Sequence, residues 1–527
     1  MAGVFALSDL DIPTRLRIAI ELTPKKKTRG NATVPMYKLY DKKDRVYVPY
    51  YYGKCMSLAP TASFNDAMMS GLADTIILND RPDEQTVLSS TFRGRLRTNQ
   101  LEPFENAASL MITKGSVFVK AATGTGKSVA LAYLTTRVNV LSLIYATNNT
   151  FTSQIDKTIR EMTTAIVWYP SAKKPNPPDG VQVIVVSPKQ FHRIPKTIVD
   201  AIGLLIMDEA HLVCTLQNIQ QLLSLRPRYV VGMTATDKRI DGMEIFIKYM
   251  CGPHLVVIPL GVPIKYLRYQ TGVTIPFFPG PDGKEGSWVQ HANYIANCME
   301  RNIIIADLCK DVLAMNNNDS TPSLIKTLFS QFNYRLGTKF KLILITANAK
   351  DHNAAMISLL RERGITCDYR DDSKNEYIDC DVLVGYGSKN GTGFDQQMSC
   401  TDHDGILINV VVPLLTSATP MICEQRMGRG CRAEECFGID LEDGGPYNKR
   451  HYRDGMLEFL NPLSDCEIIE YDVTKELNLT GKETIRNTKK MVDEQDATLT
   501  IAKTLYTLPG LTITKLARKR VLKNPVV

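Results

Sequence analysis

The chain has 527 residues, 44% of them hydrophobic, and a formal net charge of +8 at pH 7. No apolar run approaches the roughly 18 residues of a membrane-spanning helix, and Asp9, Asp11, Arg15 and Arg17 stand where a signal peptide would be apolar. The 12 cysteines are scattered, and their spacing does not predict a zinc site. The composition therefore predicts a soluble, intracellular, multidomain protein of the cytoplasm or nucleus, without a membrane partner.

Basic residues are concentrated near the two ends of the chain. One cluster contains Lys25–Lys27 with Arg29 and Lys42–Lys43, and the other runs from Lys515 to Lys523. Such clusters form either solvated surface or contacts to a phosphate backbone, and the sequence leaves both interpretations open.

A glycine-containing loop lies between an apolar run and a helix-compatible segment. Residues Ala121–Ser128 read Ala-Ala-Thr-Gly-Thr-Gly-Lys-Ser and follow the apolar run Ser116–Val119. A strand, a tight turn and a helix N-terminus present backbone N–H groups to a polyanion, with Lys127 placed for the β/γ-phosphates and Ser128 for Mg²⁺. The alternative is an ordinary Gly-rich turn, because Ala121 stands where the full pattern has glycine. The predicted phosphate cradle comprises Ala122, Thr123, Gly124, Thr125, Gly126, Lys127 and Ser128.

Two adjacent carboxylates follow a second apolar run. Leu204–Met207 reads as a buried strand and is followed by Asp208-Glu209-Ala210-His211, at the end where open α/β sheets bind ligands. Asp208 would hold Mg²⁺, and Glu209 would polarise the attacking water. An acidic helix start is the simpler alternative. The phosphate loop upstream and Met233–Thr236 downstream favour the catalytic interpretation.

A third cluster contains arginines spaced by three. Gln425–Arg432 reads Gln-Arg-Met-Gly-Arg-Gly-Cys-Arg. This spacing predicts guanidinium groups on one helix face, either as a solvated basic surface or as phosphate ligands. Together with the two earlier motifs, it predicts that Arg429 and Arg432 reach the γ-phosphate from a second domain.

The order of these motifs resembles that of superfamily 2 helicases and translocases, over about residues 90 to 470. Asp208–His211 has the DEAH spelling, and Gln425–Arg432 fits the pattern Gln-x-x-Gly-Arg-x-x-Arg. The sequence of Gly391–Asp395, together with a region of about 85 residues upstream of the segment that contains Gln100, is more similar to the DNA-translocating and transcript-release helicases of large DNA viruses and phages. The resemblance implies nucleotide contacts from Gln100, Gly393 and Asp395, and nucleic-acid contacts from Thr147, Asn148, Ser187, Thr234, Thr236 and Thr392.

The resemblance and the composition together predict an α/β fold. We expect two tandem RecA-like parallel-sheet domains, at residues 86–262 and 263–470, with a small N-terminal accessory domain at 1–85 and a basic C-terminal extension at 471–527. Leu16–Leu22 and Arg45–Tyr52 are β-like runs in the accessory domain, whereas the C-terminal extension reads as helical or partly disordered.

The resemblance implies an ATP- and Mg²⁺-dependent helicase or translocase, acting on DNA more than on RNA and stimulated by nucleic acid. It implies a monomeric motor connected with transcription or replication machinery, in the cytoplasm or nucleus, in a virus factory or in a virion. The alternatives are a catalytically weak, nucleotide-gated binding or scaffold protein, and an RNA helicase. The motor is favoured because its expected catalytic residues are all present, namely Lys127, Asp208, Glu209, Arg429 and Arg432.

Overall fold

The structure is a computed structural model, and it divides the chain into two compact units, Met1–Pro259 and Leu260–Val527. It describes all residues except 1–3, 24–35, 41–44, 60, 72–83, 123, 148, 236–243, 259, 280–286, 318–322, 348–350, 371–373, 375, 387–395, 446–449, 462, 464–465, 472–510 and 517–527.

The first unit begins with a small antiparallel sheet and three helices. Within the described residues, the sheet has the strand order β1-β3-β2, with β1 at Val4–Ala6, β2 at Lys38–Tyr40 and β3 at Arg45–Tyr47. A 3-10 turn spans Leu7–Asp9, and the helices are α1 (Ile12–Glu21), α2 (Tyr50–Leu58) and α3 (Phe64–Met69).

Of the two β-like runs expected in this region, Leu16–Leu22 is helical instead, whereas Arg45–Tyr52 begins with the strand β3 and continues into a helix. Residues 16–21 lie in α1, which begins where the Asp11 carboxylate accepts a hydrogen bond from the Thr14 N–H. Tyr50–Tyr52 lie in α2, and all three tyrosines are buried. Aromatic residues favour strands locally, but their burial against neighbouring elements decides the conformation here.

The N-terminal helices share one hydrophobic core with the main sheet of the first unit. The Tyr50 hydroxyl donates to the Arg228 carbonyl at 2.5 Å, and the buried Lys54 ammonium donates to the Lys114 carbonyl at 2.6 Å. The ring of Tyr51 packs edge-on against Phe64, with ring centroids 6.5 Å apart. Residues of α2 therefore help to form the interior of this unit.

The main sheet of the first unit is wholly parallel, with the order β10-β4-β9-β8-β5-β7-β6 among the described strands. Its strands are β4 (Ser116–Ala121), β5 (Ser142–Tyr145), β6 (Val167–Trp168), β7 (Val183–Val186), β8 (Leu204–Asp208), β9 (Tyr229–Thr234) and β10 (Leu255–Ile258). The central strands are buried on both faces because helices cover both sides, which explains their continuous apolar runs.

The connecting helices give this sheet its crossovers. They are α4 (Thr98–Lys114), α5 (Lys127–Thr135), α6 (Asn149–Met162), α7 (Lys196–Ala201), α8 (Ala210–Val213), α9 (Leu216–Leu222) and α10 (Glu244–Cys251), with a 3-10 turn at Phe191–Arg193. Because β4, β9 and β8 are adjacent and parallel, the segments that follow them meet at one edge of the sheet.

The second unit has a similar sheet, with the order β13-β15-β12-β17-β18-β11-β19-β20 among its described strands. All neighbours are parallel except β20, which runs antiparallel to β19. The strands are β11 (Ile264–Thr274), β12 (Leu342–Thr346), β13 (Cys367–Arg370), β15 (Val382–Tyr386), β17 (Val410–Pro413), β18 (Cys436–Gly444), β19 (Cys466–Tyr471) and β20 (Leu511–Leu516), and a separate parallel pair joins β14 (Tyr377–Ile378) to β16 (Cys400–Thr401).

The helices of the second unit connect its parallel strands, as in the first unit. They are α11 (Trp288–Asn297), α12 (Met299–Ala314), α13 (Leu324–Phe329), α14 (Asp351–Glu362), α15 (Gln396–Ser399), α16 (Pro420–Met427) and α17 (Glu458–Leu460), with a 3-10 turn at Met315–Asn317 and a π-helical turn at Tyr452–Leu457. The two parallel α/β sheets confirm the predicted fold class. In the C-terminal extension, residues 511–516 form a strand where a helix or disorder was expected.

Tyr51→Ala tests whether the N-terminal helices are part of the first unit's core. The ring of Tyr51 is fully buried, so its removal should lower the free energy of unfolding by about 3–5 kcal/mol. Urea unfolding of the full chain, followed by circular dichroism, measures the effect. Met69→Ala, at a side chain 80% exposed in the same region, is the matched control and should change little. Equal midpoints for Tyr51→Ala and the unmodified protein would contradict the shared core.

Candidate functional site

The loop between β4 and α5 has a backbone that only glycine accommodates at two positions. Gly124 has φ of 88°, and Gly126, which caps α5, has φ of 94°. A Cβ atom at Gly126 would lie 2.3 Å from Nε2 of Gln100. Between the glycines, Thr125 turns back, and its hydroxyl donates to the Ala122 carbonyl at 2.7 Å. The loop therefore places the start of α5 close to the end of β4, as the phosphate-cradle prediction requires.

The side chain of Gln100 forms a hydrogen bond to this loop. It is buried in the first turn of α4, where its Oε1 accepts from the Arg97 N–H at 2.8 Å. Its Nε2 donates to the Thr125 carbonyl, also at 2.8 Å. The glutamine thus connects the beginning of α4 to the centre of the loop. The resemblance predicted a nucleotide contact for Gln100, and this contact with the loop was not anticipated.

An ion pair connects the first residue of α5 with the residue that follows β8. The Lys127 ammonium donates to Oε1 of Glu209, and both side chains are 15% exposed. Burial acts to raise the pKa of Glu209, but the charge of Lys127, the proximity of His211 and N–H donation from Ala235 together hold that pKa below its usual value. Glu209 is therefore an ionised carboxylate at neutral pH.

Asp208 is the last residue of β8, and its environment differs from that of Glu209. Its carboxyl group is buried, and burial together with the negative charge of Glu209 raises its pKa to about 7. Lys127 opposes this rise only in part. Two neighbouring carboxylates thus share one ammonium group, which is an electrostatic environment suited to a further cation.

The backbone of Glu209 is in the left-handed region, with φ of 49° and ψ of 57°. This conformation costs a non-glycine residue of order 1–3 kcal/mol and persists only where the surroundings enforce it. Here it ends β8 and allows α8 to begin at Ala210. The strained residue is also the one that pairs with Lys127.

His211 links the ends of β8 and β9. Its Nδ1 lies 2.5 Å from the Thr234 hydroxyl and 3.5 Å from Oε2 of Glu209, and both His211 and Thr234 are buried. Thr234 was predicted to contact nucleic acid, and in the structure its hydroxyl contacts His211. His211 was not among the predicted site residues, although its place beside Asp208 and Glu209 was a usable signal.

Two other predicted nucleic-acid residues of the first unit, Thr147 and Ser187, lie at strand ends. Thr147 is half-buried after β5. Ser187 follows β7 and is buried, and its hydroxyl donates to Oε1 of Gln190 at 3.0 Å. Several predicted site residues lie outside the described part of the chain, namely Thr123, Asn148, Thr236, Thr392, Gly393 and Asp395.

The arginine cluster lies in the second unit, and its local structure corrects one expectation. Helix α16 ends at Met427, so Arg429 and Arg432 occupy the turns that follow rather than one helix face. Gly430 packs too closely for a side chain, since a Cβ there would lie 2.8 Å from Sγ of Cys436. Arg429 is buried and Arg432 is half-buried.

Of the predicted catalytic and metal-binding residues, the structure places Lys127, Asp208 and Glu209 together in the first unit.

A family model and two viral proteins match this chain. Residues 93–239, which include the loop, Asp208–His211 and Thr234, match the model described as the res subunit of type III restriction enzymes. The chain is 28% identical over 264 residues to "Putative helicase 109L" of Invertebrate iridescent virus 3, covering 48% of this chain and 77% of that protein. It is 24% identical over 323 residues to "Putative helicase 161L" of Invertebrate iridescent virus 6, covering 58% of this chain and 70% of that protein. The chain is thus distantly homologous to these viral proteins.

Among solved structures, the chain aligns with T4 UvsW and with the Hef helicase domain of Pyrococcus furiosus. UvsW is 14% identical with a TM-score of 0.32, and the alignment covers 87% of this chain and 95% of UvsW. The Hef domain is 13% identical with a TM-score of 0.39, and the alignment covers 69% of this chain and 98% of the domain.

Thr234→Val tests the link between β8 and β9. Valine keeps the shape of threonine but removes the hydroxyl that contacts the buried ring of His211, so the free energy of unfolding should fall by about 1–3 kcal/mol. Thermal unfolding measures this loss. Thr113→Val is the control, because the Thr113 hydroxyl is exposed and donates only within α4. A loss no larger than that of the control would contradict the role of the hydroxyl.

Proposed function

We propose that this protein is an ATP-dependent helicase or translocase of superfamily 2 that acts on DNA. The observation that carries the proposal is the contact of Lys127 with Glu209, at the carboxyl edge of the parallel sheet in the first unit. The contact joins a phosphate-type loop to a strand-end pair of carboxylates, the two parts that nucleoside triphosphate hydrolysis requires. Homology to the two viral proteins named as helicases supports the same activity.

The residues present fit a Mg²⁺-nucleotide. The loop has two left-handed glycines and opens onto the N-terminus of α5, which suits a phosphate group. The exposed hydroxyl of Ser128 and the carboxylate of Asp208 are oxygen donors of the kind Mg²⁺ prefers. Within the described residues no cluster of three or more His, Cys, Asp or Glu side chains could hold a metal ion. This is compatible with Mg²⁺, which commonly binds through one or two carboxylates, substrate phosphates and water.

Each residue of the cluster then has a chemical role. Bound Mg²⁺-ATP would supply the phosphoryl group and the charge that neutralises its oxygens. Lys127 would hold phosphate oxygens, Ser128 and Asp208 would hold the cation, and Gln100 keeps the loop in position. Glu209, whose pKa is lowered, would accept a proton from the attacking water. Arg429 and Arg432 of the second unit would stabilise negative charge on the γ-phosphate.

The nucleic-acid side of the proposal rests on the resemblance and on charge. Polar residues at strand ends and the basic clusters near both ends of the chain would contact the phosphate backbone, so little sequence preference is expected. The resemblance of the Gly391–Asp395 motif supports a DNA-directed, monomeric motor that works with transcription or replication machinery.

Among the helices that the structure describes, none has the length and apolar character needed to cross a membrane.

The decisive experiment compares single-stranded DNA, double-stranded DNA and RNA as stimulators of ATP hydrolysis by the full chain. Stimulation by DNA above that by RNA supports the proposal. Stimulation by RNA alone would indicate an RNA helicase. Nucleotide binding without stimulated turnover by any of the three would instead indicate a nucleotide-gated binding protein.

Glu209→Gln should abolish turnover while ATP and Mg²⁺ binding persist. The amide keeps the shape of the side chain but cannot accept the proton, and loss of a positioned base costs about 10²–10⁴ in rate. Steady-state hydrolysis and nucleotide titration measure the two effects. Lys127→Ala provides the contrast, because it removes a direct phosphate contact and should weaken nucleotide binding. Hydrolysis by Glu209→Gln within a factor of two of the unmodified enzyme would refute the assigned role.

Arg429→Ala and Arg432→Ala should each reduce nucleic-acid-stimulated hydrolysis by about 10³ or more, the scale expected for arginines that stabilise transition-state charge. The phosphate loop is unaltered in both variants, so nucleotide affinity should change less than kcat does. Arg335→Ala is the control, because that side chain is 72% exposed and pairs with Glu434 at the surface of the same unit. Normal stimulated turnover in both variants would rule out the proposed contact of Arg429 and Arg432 with the γ-phosphate.

A further inference from the structure

Helix α11 exposes a surface of unusual composition. Its sequence, Trp-Val-Gln-His-Ala-Asn-Tyr-Ile-Ala-Asn, contains no Asp, Glu, Lys or Arg. Exposed helix faces ordinarily carry charged residues. Here the exposed positions are instead apolar, aromatic or amide side chains, namely Trp288, Val289, Gln290, Asn293, Tyr294 and Asn297.

An open cavity of about 650 Å³ lies along this surface. Phe278 and Tyr294 form one part of its lining, with ring centroids 5.4 Å apart and planes inclined by 49°. The side-chain amides of Gln290, Asn293 and Asn297 form another part, and Glu300 contributes the one charged group among the described lining residues. The cavity thus combines flat apolar rings with groups that both donate and accept hydrogen bonds.

A second ring surface lies at the start of the same helix. Trp288 is 41% exposed, and its ring centroid lies 5.6 Å from that of His291 and 4.9 Å from that of His451. The side chains of Arg450 and Arg453, beside His451, are 75% and 71% exposed. Both pair with the same carboxylate, Asp454, at 3.3 and 2.9 Å, so this end of the surface has a net positive charge.

The position of these groups in the fold is that of a ligand site. Phe278 follows the carboxyl end of β11, and His451 follows the carboxyl end of β18, its neighbour in the parallel sheet. Ligands of parallel α/β sheets bind beyond the carboxyl ends of the strands. We use the name aromatic platform for two neighbouring parts of α11: the cavity lining formed by Phe278, Tyr294 and the amides of Gln290, Asn293 and Asn297, and the ring of Trp288 at the start of the helix.

We propose that the aromatic platform binds single-stranded nucleic acid by stacking its bases. The inference rests on the proposed function and adds a site for bases to the expected backbone contacts. Trp288 and Tyr294 offer ring faces to bases, the three amides offer partners for base edges, and Arg450 and Arg453 supply charge for the adjoining phosphates. Uncharged amides can donate and accept hydrogen bonds at the edge of a base. A surface that contacted only the phosphate backbone of the nucleic acid would instead be expected to be basic throughout.

The sequence provides a direct reporter for this interaction. Its two tryptophans are Trp168, which is buried at 2% exposure, and Trp288. Stacking of a base on Trp288 should quench its fluorescence, while Trp168 contributes a constant background. Titration of the full chain with oligothymidylate of about 12 nucleotides should therefore quench the emission, since site sizes in single-strand-binding proteins are of this order. An abasic strand of the same length should not quench it, and Trp288→Phe should remove the response.

Affinity measurements test the same site independently of tryptophan. Tyr294→Ala should weaken binding of a fluorescein-labelled oligothymidylate by about ten-fold, the scale of one stacked base, with an unchanged salt dependence because no charge is removed. Leu336→Ala, at an exposed apolar side chain before β12, is the matched control. Fluorescence anisotropy measures both, and an unaltered unfolding midpoint checks that each variant is folded.

Three outcomes would overturn the inference, and they are distinguishable. If the labelled strand binds and stimulates ATP hydrolysis, but Trp288 is not quenched and Tyr294→Ala binds normally, the platform is not a base site and the proposed motor function stands. If no oligonucleotide binds or stimulates hydrolysis, the motor function and the platform both fail. Equal quenching by the abasic strand would also exclude stacking.

Discussion

The ion pair between Lys127 and Glu209 is the interaction on which the candidate site depends. It joins a helix start to a strand end, and both of its side chains are largely shielded from water. Removing two charges from water is costly, and good geometry with further hydrogen bonds is needed to offset that cost. The Ala235 N–H provides such a hydrogen bond to Glu209, and Nδ1 of His211 lies 3.5 Å from Oε2 of the same carboxylate. The backbone strain at Glu209 is compatible with this arrangement because the surrounding contacts hold that residue in place.

A consequence of this arrangement is that four separate segments have interdependent positions. Gln100 positions the loop through Thr125, the loop positions Lys127, and Lys127 pairs with Glu209. His211 then extends the connection to β9 through Thr234. A substitution at the start of α4 or at the end of β9 would therefore change the positions of the Asp208 and Glu209 carboxylates without contacting them directly. This connectivity accounts for the burial of Gln100 and Thr234, which would ordinarily be expected at the surface.

The sequence was most informative where local pattern and tertiary environment agree. The apolar runs of β4, β8 and β9 are typical of strands covered on both faces, and the glycines at 124 and 126 indicated a turn that side chains would block. Tyr50–Tyr52 were misjudged because aromatic residues favour strands locally and only tertiary packing makes them helical. The turns that hold Arg429 and Arg432 could have been anticipated, since Gly428 and Gly430 interrupt a helical pattern. The left-handed Glu209 and the contact of Gln100 with Thr125 depend on segments distant in sequence, and no local pattern contains them.

Strand β20 has a consequence for how the molecule behaves in solution. It pairs along the whole length of β19, with Lys515 in register with Glu467. Without β20, the backbone of Cys466–Tyr471, which includes the adjacent Ile468 and Ile469, would present an open edge to other molecules. Unprotected apolar edges of this kind promote strand pairing between copies, whereas an edge strand that contains lysine opposes it. A chain shortened to the end of the second parallel sheet would therefore retain every residue of the candidate site and yet be prone to aggregation.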